Sequence, residues 1–232
     1  MGQLVKGFLD LIFPPTCFVC GQVTQDPLCS QCVSSFSLIK EPVCEKCGKP
    51  CVLEVTACKE CSSRRFYFVK ARTFGLYEGN LKETIHQFKY QGGKRIAPLL
   101  ARLIVDKMEP SFFGTDLLTW VPISSRKEAS RGYNQAYLLT REIGKLTSKP
   151  SSRTLRIFKE TRDQSKLTLP ERRRNVKGAF AAIKGINLKN KGVLLIDDVF
   201  TTGSTANECS KVLLKAGAGS VVVLTVARSL LH

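Results

Sequence analysis

The sequence predicts an α/β domain built on a parallel sheet and preceded by a small N-terminal metal-binding module. Two observations carry that expectation. Residues Val193 to Thr205 read VLLIDDVFTTGST, an aliphatic run, two adjacent carboxylates and a hydroxyl-rich loop with one glycine. Nine of the ten cysteines lie between Cys17 and Cys61, mostly as pairs with two residues between them.

Val193 to Ile196 is a continuous aliphatic run bounded by Gly192 and Asp197, the pattern of a strand buried on both faces of a parallel sheet. From Thr205 to Ala216, residues Ala206, Cys209, Val212, Leu213 and Ala216 recur at helical spacing, and Gly217 and Gly219 end the run. Val221 to Val226 reads as a second buried strand. A strand, tight loop, helix and parallel strand put ligand chemistry at the carboxyl end of the first strand, where the loop lies.

The backbone N–H groups of Thr201, Thr202, Gly203, Ser204 and Thr205, next to a helix N-terminus, form an anion-binding concavity; Gly203 permits close approach and the hydroxyls add donors. Carboxylates serve another part of a ligand: Asp197 and Asp198 are acceptors for sugar hydroxyls and can hold Mg²⁺ that bridges to pyrophosphate oxygens. Read separately, the acids would merely solvate a strand end and Thr-Thr-Gly-Ser would merely cap a helix. In this order the whole resembles the phosphoribosyl-pyrophosphate (PRPP) motif of type I phosphoribosyltransferases. That resemblance implies that Asp197 and Asp198 contact the ribose hydroxyls while Thr201 to Thr205 hold the 5′-phosphate.

The cysteine pairs are Cys17 with Cys20, Cys29 with Cys32, Cys44 with Cys47, and Cys58 with Cys61, which is zinc-ligand spacing. Sequential use gives one Zn²⁺ to the first four and a second to the last four; crossed pairing is the alternative. A disulfide framework is disfavoured because no secretory signal is recognised and the chain reads as cytoplasmic. Cys51 is a surplus thiol that can replace a ligand in the second set, and Cys209 reads as a core residue. A closed four-cysteine site has no open position for chemistry, so its expected role is to staple a segment that lacks a core of its own. Ahead of it, Leu4 to Phe13 reads as a short amphipathic helix stopped by Pro14 and Pro15.

At 232 residues the chain has room for this module, residues 1–65, and one larger domain, residues 66–232. No apolar run is long enough to span a membrane. The formal net charge is +17, and it is unevenly placed. Residues 1–65 carry seven basic and six acidic side chains, which leaves +16 for residues 66–232. Such a field attracts polyanions, whether nucleic acid, acidic lipid or a pyrophosphate-bearing small molecule. Eight zinc-bound thiolates would add about four negative charges to the module, making it a poor phosphate surface unless Lys46, Lys49 or Lys59 cluster.

Within the larger domain, Phe66 to Tyr77 reads as extended, and Asn80 with Glu83 reads as a capping box for a helix burying Leu81, Ile85 and Phe88. Lys89, Tyr90, Lys94 and Arg95 surround two glycines in a basic turn, and residues 98–108 read as a helix. Leu117 to Val121 reads as a strand whose end leads into Ser124, Ser125, Arg126 and Lys127, hydroxyls and cations suited to a pyrophosphate loop. Arg131, Tyr133, Asn134 and Gln135 precede a helix with Ala136, Leu139, Ile143 and Leu146 at buried spacing. After a strand near Leu155 to Phe158, residues 153–178 hold nine basic and three acidic side chains, including Lys166, Arg172, Arg173, Arg174 and Lys177. This reads as an arm, with Pro170 and Glu171 able to start a short helix.

The cysteine pairs, FKYQGGK, RGYNQA, QSKLTLPERRRNVKGAF and LLIDDVFTTGST together resemble the ComF family over nearly the whole chain. The resemblance implies a zinc ribbon followed by a type I phosphoribosyltransferase-like parallel sheet flanked by helices. It also implies a role in DNA uptake for natural transformation, with single-stranded DNA and proteins of the uptake machinery as partners. On that reading Lys89, Tyr90, Lys94, Arg131, Tyr133, Asn134, Gln135, Lys166, Arg172, Arg173, Arg174 and Lys177 are the nucleic-acid candidates, because cations and aromatics serve phosphates and bases. The alternatives are a working phosphoribosyltransferase using PRPP and Mg²⁺, and a PRPP-sensing regulator. For the transferase the sequence offers no evident base pocket, and His86 and His232 look poorly placed as general bases.

Overall fold

The computed structural model describes residues 13–90, 93–159 and 169–230. The expected N-terminal helix, apart from Phe13, lies outside the described residues, as do Lys166, His232 and the side chains of Arg172 and Arg173. In the cysteine-rich segment two short helices, α1 (Ser30–Ser34) and α2 (Lys59–Ser62), each carry the last cysteine of a set and are preceded at the N-cap by the third, Cys29 and Cys58.

The larger part begins with β1 (Lys70–Leu76), α3 (Gly79–Tyr90) and α4 (Gly93–Lys107). It continues through β2 (Leu117–Trp120), α5 (Ser125–Arg131), α6 (Gln135–Thr147) and β3 (Leu155–Ile157). It ends with α7 (Leu169–Val176), β4 (Phe180–Ala182), β5 (Gly192–Phe200), α8 (Ser204–Lys215) and β6 (Ser220–Arg228). Four strands form a wholly parallel sheet in the order β1-β6-β5-β2. Strands β3 and β4 pair antiparallel as a separate hairpin. Among the described residues no helix is long and apolar enough to cross a membrane.

Alternation along the strands decides what packs where, because successive side chains point to opposite faces. Leu194 and Ile196 of β5, Leu118 of β2 and Leu224 and Val226 of β6 join Leu81, Ile85 and Phe88 of α3, Ile96, Leu100 and Ile104 of α4, and Leu139 and Ile143 of α6. Val193, Leu195, Leu117, Val221 and Val223 meet Cys209 and Leu213 of α8, Leu155 and Phe180 of the hairpin, and Val176 of α7. Burying one such aliphatic side chain is worth about 1.5–3 kcal/mol.

The two cysteine sets take opposite sides of this sheet. Cys17, Leu28, Cys29, Cys32 and Phe36 belong to the first cluster; Cys44, Cys47 and Cys61 belong to the second. The segment between them runs along the outer edge of β1: Ile39 N–H donates to Phe74 O at 3.2 Å, Leu76 N–H to Ser37 O at 2.8 Å, and Ala71 N–H to Lys46 O at 2.9 Å. An exposed edge strand invites pairing with other chains, and here the module occupies it. At the opposite edge Leu118 N–H donates to Pro150 O and Ser152 N–H to Leu118 O.

Several expectations need correction. Strand β5 runs on through both acids to Phe200, so Asp197 and Asp198 lie within it rather than beyond its end. Helix α3 starts at Gly79, which places Asn80 inside its first turn; Asn80 Nδ2 donates to Ser35 Oγ and Glu83 Oε1 accepts from Gln87, so no capping box forms. Helix α4 begins at Gly93, five residues earlier than expected, with Pro98 inside it. Its start is fixed by Tyr133, whose hydroxyl accepts from Gly93 N–H and whose ring would lie 2.2 Å from a Cβ at that position. Leu146, expected in the core, is 50% exposed. The strand near Leu155 joins the hairpin and not the main sheet. The helix foreseen at Pro170 is present as α7.

Candidate functional site

The carboxyl ends of β5, β2 and β6 open into one cavity of about 570 Å³, within the usual range for small-molecule sites. Asp197, Asp198, Thr201, Gly203, Ser204 and Thr205 line it, together with Ser124, Lys127, Lys89, Tyr90, Arg131 and Gln135. The loop after β5 owes its shape to Gly203, the N-cap of α8, at φ +69° with the Phe200 ring 2.4 Å from where a Cβ would stand. Thr202 is buried behind the loop and shares a 2.7 Å hydroxyl contact with Ser204.

The paired acids differ. Asp198 Oδ2 accepts from Lys89 Nζ at 2.8 Å and from Gln135 Nε2 at 3.1 Å, and Asp198 Oδ1 accepts from Val199 N–H. Burial opposes its ionisation, but the Lys89 ammonium outweighs burial and holds Asp198 down at about 2. Asp197 has the reverse balance: burial, and then the adjacent Asp198 carboxylate, push it well above the usual carboxylate range. Burial would lower Lys89, but the Asp198 charge beside it raises it. The floor of the cavity therefore pairs one ion pair with a second carboxyl whose ionisation is disfavoured. Lys127 and Arg131 bring cationic side chains to the wall, the sign of charge that attracts an anionic ligand.

The cavity absorbs part of what the sequence assigns to nucleic acid. Lys89 and Gln135 reach the carboxylate pair, while Arg131 bonds Gln135 Oε1 at 3.0 Å and stacks 5.2 Å from the Tyr90 ring. Tyr90 is 51% exposed at the rim. Tyr133, expected to be an exposed stacking ring, is instead partly buried and donates to Phe88 O. Asn134 is buried as the N-cap of α6. Lys94, Arg174 and Lys177 are exposed away from the cavity. Ser124 N-caps α5, so Ser125 and Arg126 belong to a helix rather than a loop and do not line the cavity. His86, set aside at the sequence level, lines the rim, its ring centred 5.1 Å from that of Tyr90 and tilted 52° to it. Its i,i+4 spacing from Tyr90 was the available signal.

The cysteines form two closed sets, Cys17, Cys20, Cys29 and Cys32, and Cys44, Cys47, Cys58 and Cys61, with the ligand atoms of each within 4.8 Å of one another. The sequential grouping holds. A tetrahedral Zn²⁺ with bonds of about 2.3 Å puts sulfurs about 3.8 Å apart. The separations are 3.6 Å for Cys20 and Cys29, 3.9 Å for Cys44 and Cys61, and 3.8 Å for Cys47 and Cys58. Both sets are consistent with a structural zinc ion. Burial opposes thiolate formation, yet backbone N–H groups of Cys20, Cys29 and Val19 bring Cys17 down to about 6, and those of Cys47, Cys58 and Lys46 bring Cys44 to about 7. Cys51 stands outside the second set, its thiol directed to Lys49 O. Lys46 and Lys49 do not form a phosphate face: they bond Phe68 O and Glu60.

The family described as "Double zinc ribbon domain" matches residues 8–62. "Competence protein F" of Haemophilus influenzae is 31% identical over 214 residues, covering 89% of this chain and 93% of that protein. The chain belongs to the competence protein F family. The chain is also similar to "DNA utilization protein YhgH" of Salmonella typhimurium, 28% identical over 95% of this chain and 100% of that one. "Competence protein ComFC" of Bacillus subtilis is 26% identical over 88% and 85%. Among solved structures, a hypoxanthine phosphoribosyltransferase of Staphylococcus aureus aligns with TM-score 0.37 and 12% identity, over 63% of this chain and 80% of that one.

Proposed function

We propose that this competence protein F family member binds a phosphoribosyl ligand, PRPP with Mg²⁺, in the cavity at the end of β5. Its basic surface holds single-stranded DNA during DNA uptake for natural transformation. The observation that carries the pocket reading is the joining of two unlike parts in one cavity: a carboxylate pair for sugar hydroxyls and metal, and a glycine-capped loop of hydroxyls for phosphate. Residues 66–232 provide this ligand domain and residues 1–65 the zinc module. Asp197 and Asp198 take the ribose and the magnesium, Thr201 to Thr205 the 5′-phosphate, and Lys127 with Ser124 the pyrophosphate. The DNA reading rests on the +16 carried by residues 66–232 and on the names of the relatives.

Catalytic phosphoribosyl transfer is a second reading, favoured by one observation. The cavity extends past the carboxylates to His86 and Tyr90, whose rings provide a ledge for a planar base. Fluorescence anisotropy with single-stranded DNA across a salt series, with and without PRPP and Mg²⁺, tests the first reading. The expected result is salt-steep binding that changes on adding PRPP and loses that response in Asp197→Ala/Asp198→Ala. Absence of binding at low salt overturns the DNA reading, and pyrophosphate release with a nucleobase panel then tests the second.

A further inference from the structure

The second cysteine set is tied to the loop after β5 by two separate connections. The first runs through the backbone that leaves α2. Three residues beyond Cys61, the Arg64 guanidinium donates to Thr202 O in the loop. Asn207, in the first turn of α8, clasps the same segment: its Oδ1 accepts from Tyr67 N–H at 2.6 Å and its Nδ2 donates to Arg65 O at 3.3 Å. Its own N–H donates to Gly203 O at 2.8 Å, so it bears on the loop from the helix side.

The second connection runs through Arg228, which is 2% exposed at the end of β6. Its Nη1 donates to Cys47 O at 2.7 Å and its Nη2 lies 3.5 Å from Cys47 Sγ. Its guanidinium sits 4.7 Å from the centre of the Phe200 ring, the ring that fills the space beneath Gly203. The first cysteine set is placed differently. It packs among α3 and α4 on the other face of the sheet.

We propose that metal at Cys44, Cys47, Cys58 and Cys61 holds the phosphate loop in its binding shape, with Arg64 and Asn207 as the positioning residues that transmit the effect. This rests on the reading that the loop takes a phosphate. A cradle of backbone N–H groups binds an anion well only when its geometry is fixed beforehand, because ordering it at the moment of binding is subtracted from the affinity. The connection works in both directions, since coupling between two binding events is reciprocal. An occupied loop therefore holds metal more tightly at the second set and leaves the first unaffected.

The test uses the full-length, zinc-loaded chain and PRPP with Mg²⁺ as the probe. Calorimetry gives the affinity. Thiol alkylation during challenge with 4-(2-pyridylazo)resorcinol, read cysteine by cysteine by mass spectrometry, gives metal loss at each set. PRPP is expected to slow alkylation of Cys44, Cys47, Cys58 and Cys61 about tenfold and to leave Cys17, Cys20, Cys29 and Cys32 unchanged. Asn207→Ala and Arg64→Ala are each expected to weaken PRPP about tenfold and to reduce that protection, the Arg228 connection remaining in both, while Arg64→Lys keeps it in full. Wild-type protein that binds PRPP with no difference between the two sets overturns the coupling alone. Variants that bind weakly but keep the wild-type degree of protection at saturating PRPP overturn the role of Arg64 and Asn207. Failure of the wild type to bind PRPP overturns the phosphate reading of the loop, and this inference with it. The wild-type comparison decides the coupling even where a variant does not fold.

Discussion

Two neighbouring carboxylates at this point of β5 are tolerable because Lys89 pairs with Asp198, while burial and the Asp198 charge disfavour ionisation of Asp197. Lys89 is 109 positions from Asp198 in the chain, and in the sequence it belongs to a basic turn with nothing to mark its partner. The contact exists because α3 buries Leu81, Ile85 and Phe88 against the sheet, which aims the next residue at β5. The raised Asp197 gives a signed expectation. An acid whose folded pKa lies above its unfolded value, about 3.9, withdraws stability as pH rises from that value through the folded one. Asp197→Asn removes the withdrawal. Its thermal midpoint relative to wild type is expected to climb as pH rises above about 4, as differential scanning fluorimetry would record, while PRPP binding is lost. A constant offset across that range would contradict the titration assigned to Asp197.

At the level of elements, the loop between β5 and α8 is a rigid corner. Gly203→Ala places a Cβ where the Phe200 ring now lies and forces a left-handed backbone on a residue that resists it, a cost of about 1–2 kcal/mol before the ring moves. Urea denaturation is expected to register that loss, and phosphate affinity to fall with it. This corner was legible in the sequence because its chemistry is local: an aliphatic run, a glycine and a helical period follow one another within 25 residues. The cysteine sets were legible for the same reason. What escaped depends on distant contacts. Helix α4 could start early only because Tyr133 closes over Gly93, and the capping box failed because Asn80 turned to Ser35 in the ribbon. Helical spacing placed Leu146 on the buried stripe with Leu139 and Ile143, yet it lies in the last turn of α6 and its side chain is exposed.

Across the whole molecule, the ribbons are part of the core and not an appendage, since each set lies in a hydrophobic cluster shared with the sheet. Removing zinc is therefore expected to destabilise the entire chain. The single tryptophan, Trp120 on β2 at the far edge of the sheet, reports this: its thermal transition is expected to shift down together with that seen by far-UV circular dichroism. A Trp120 transition indifferent to chelation would mean that the ribbons fold apart. The DNA reading belongs to the same scale, because the charge is a property of a surface. With Lys89, Arg131 and Gln135 committed to the cavity, strand phosphates must meet cations elsewhere. Arg174 and Lys177, exposed on and just after α7, are such cations. For a single strand each neutralised phosphate contributes about 0.7 to the slope of log K against log salt. Arg174→Ala/Lys177→Ala is therefore expected to lower that slope by about 1.4 without altering PRPP affinity. An unchanged slope would move the strand away from α7, and a simultaneous loss of PRPP affinity would mean that the two ligands share these cations.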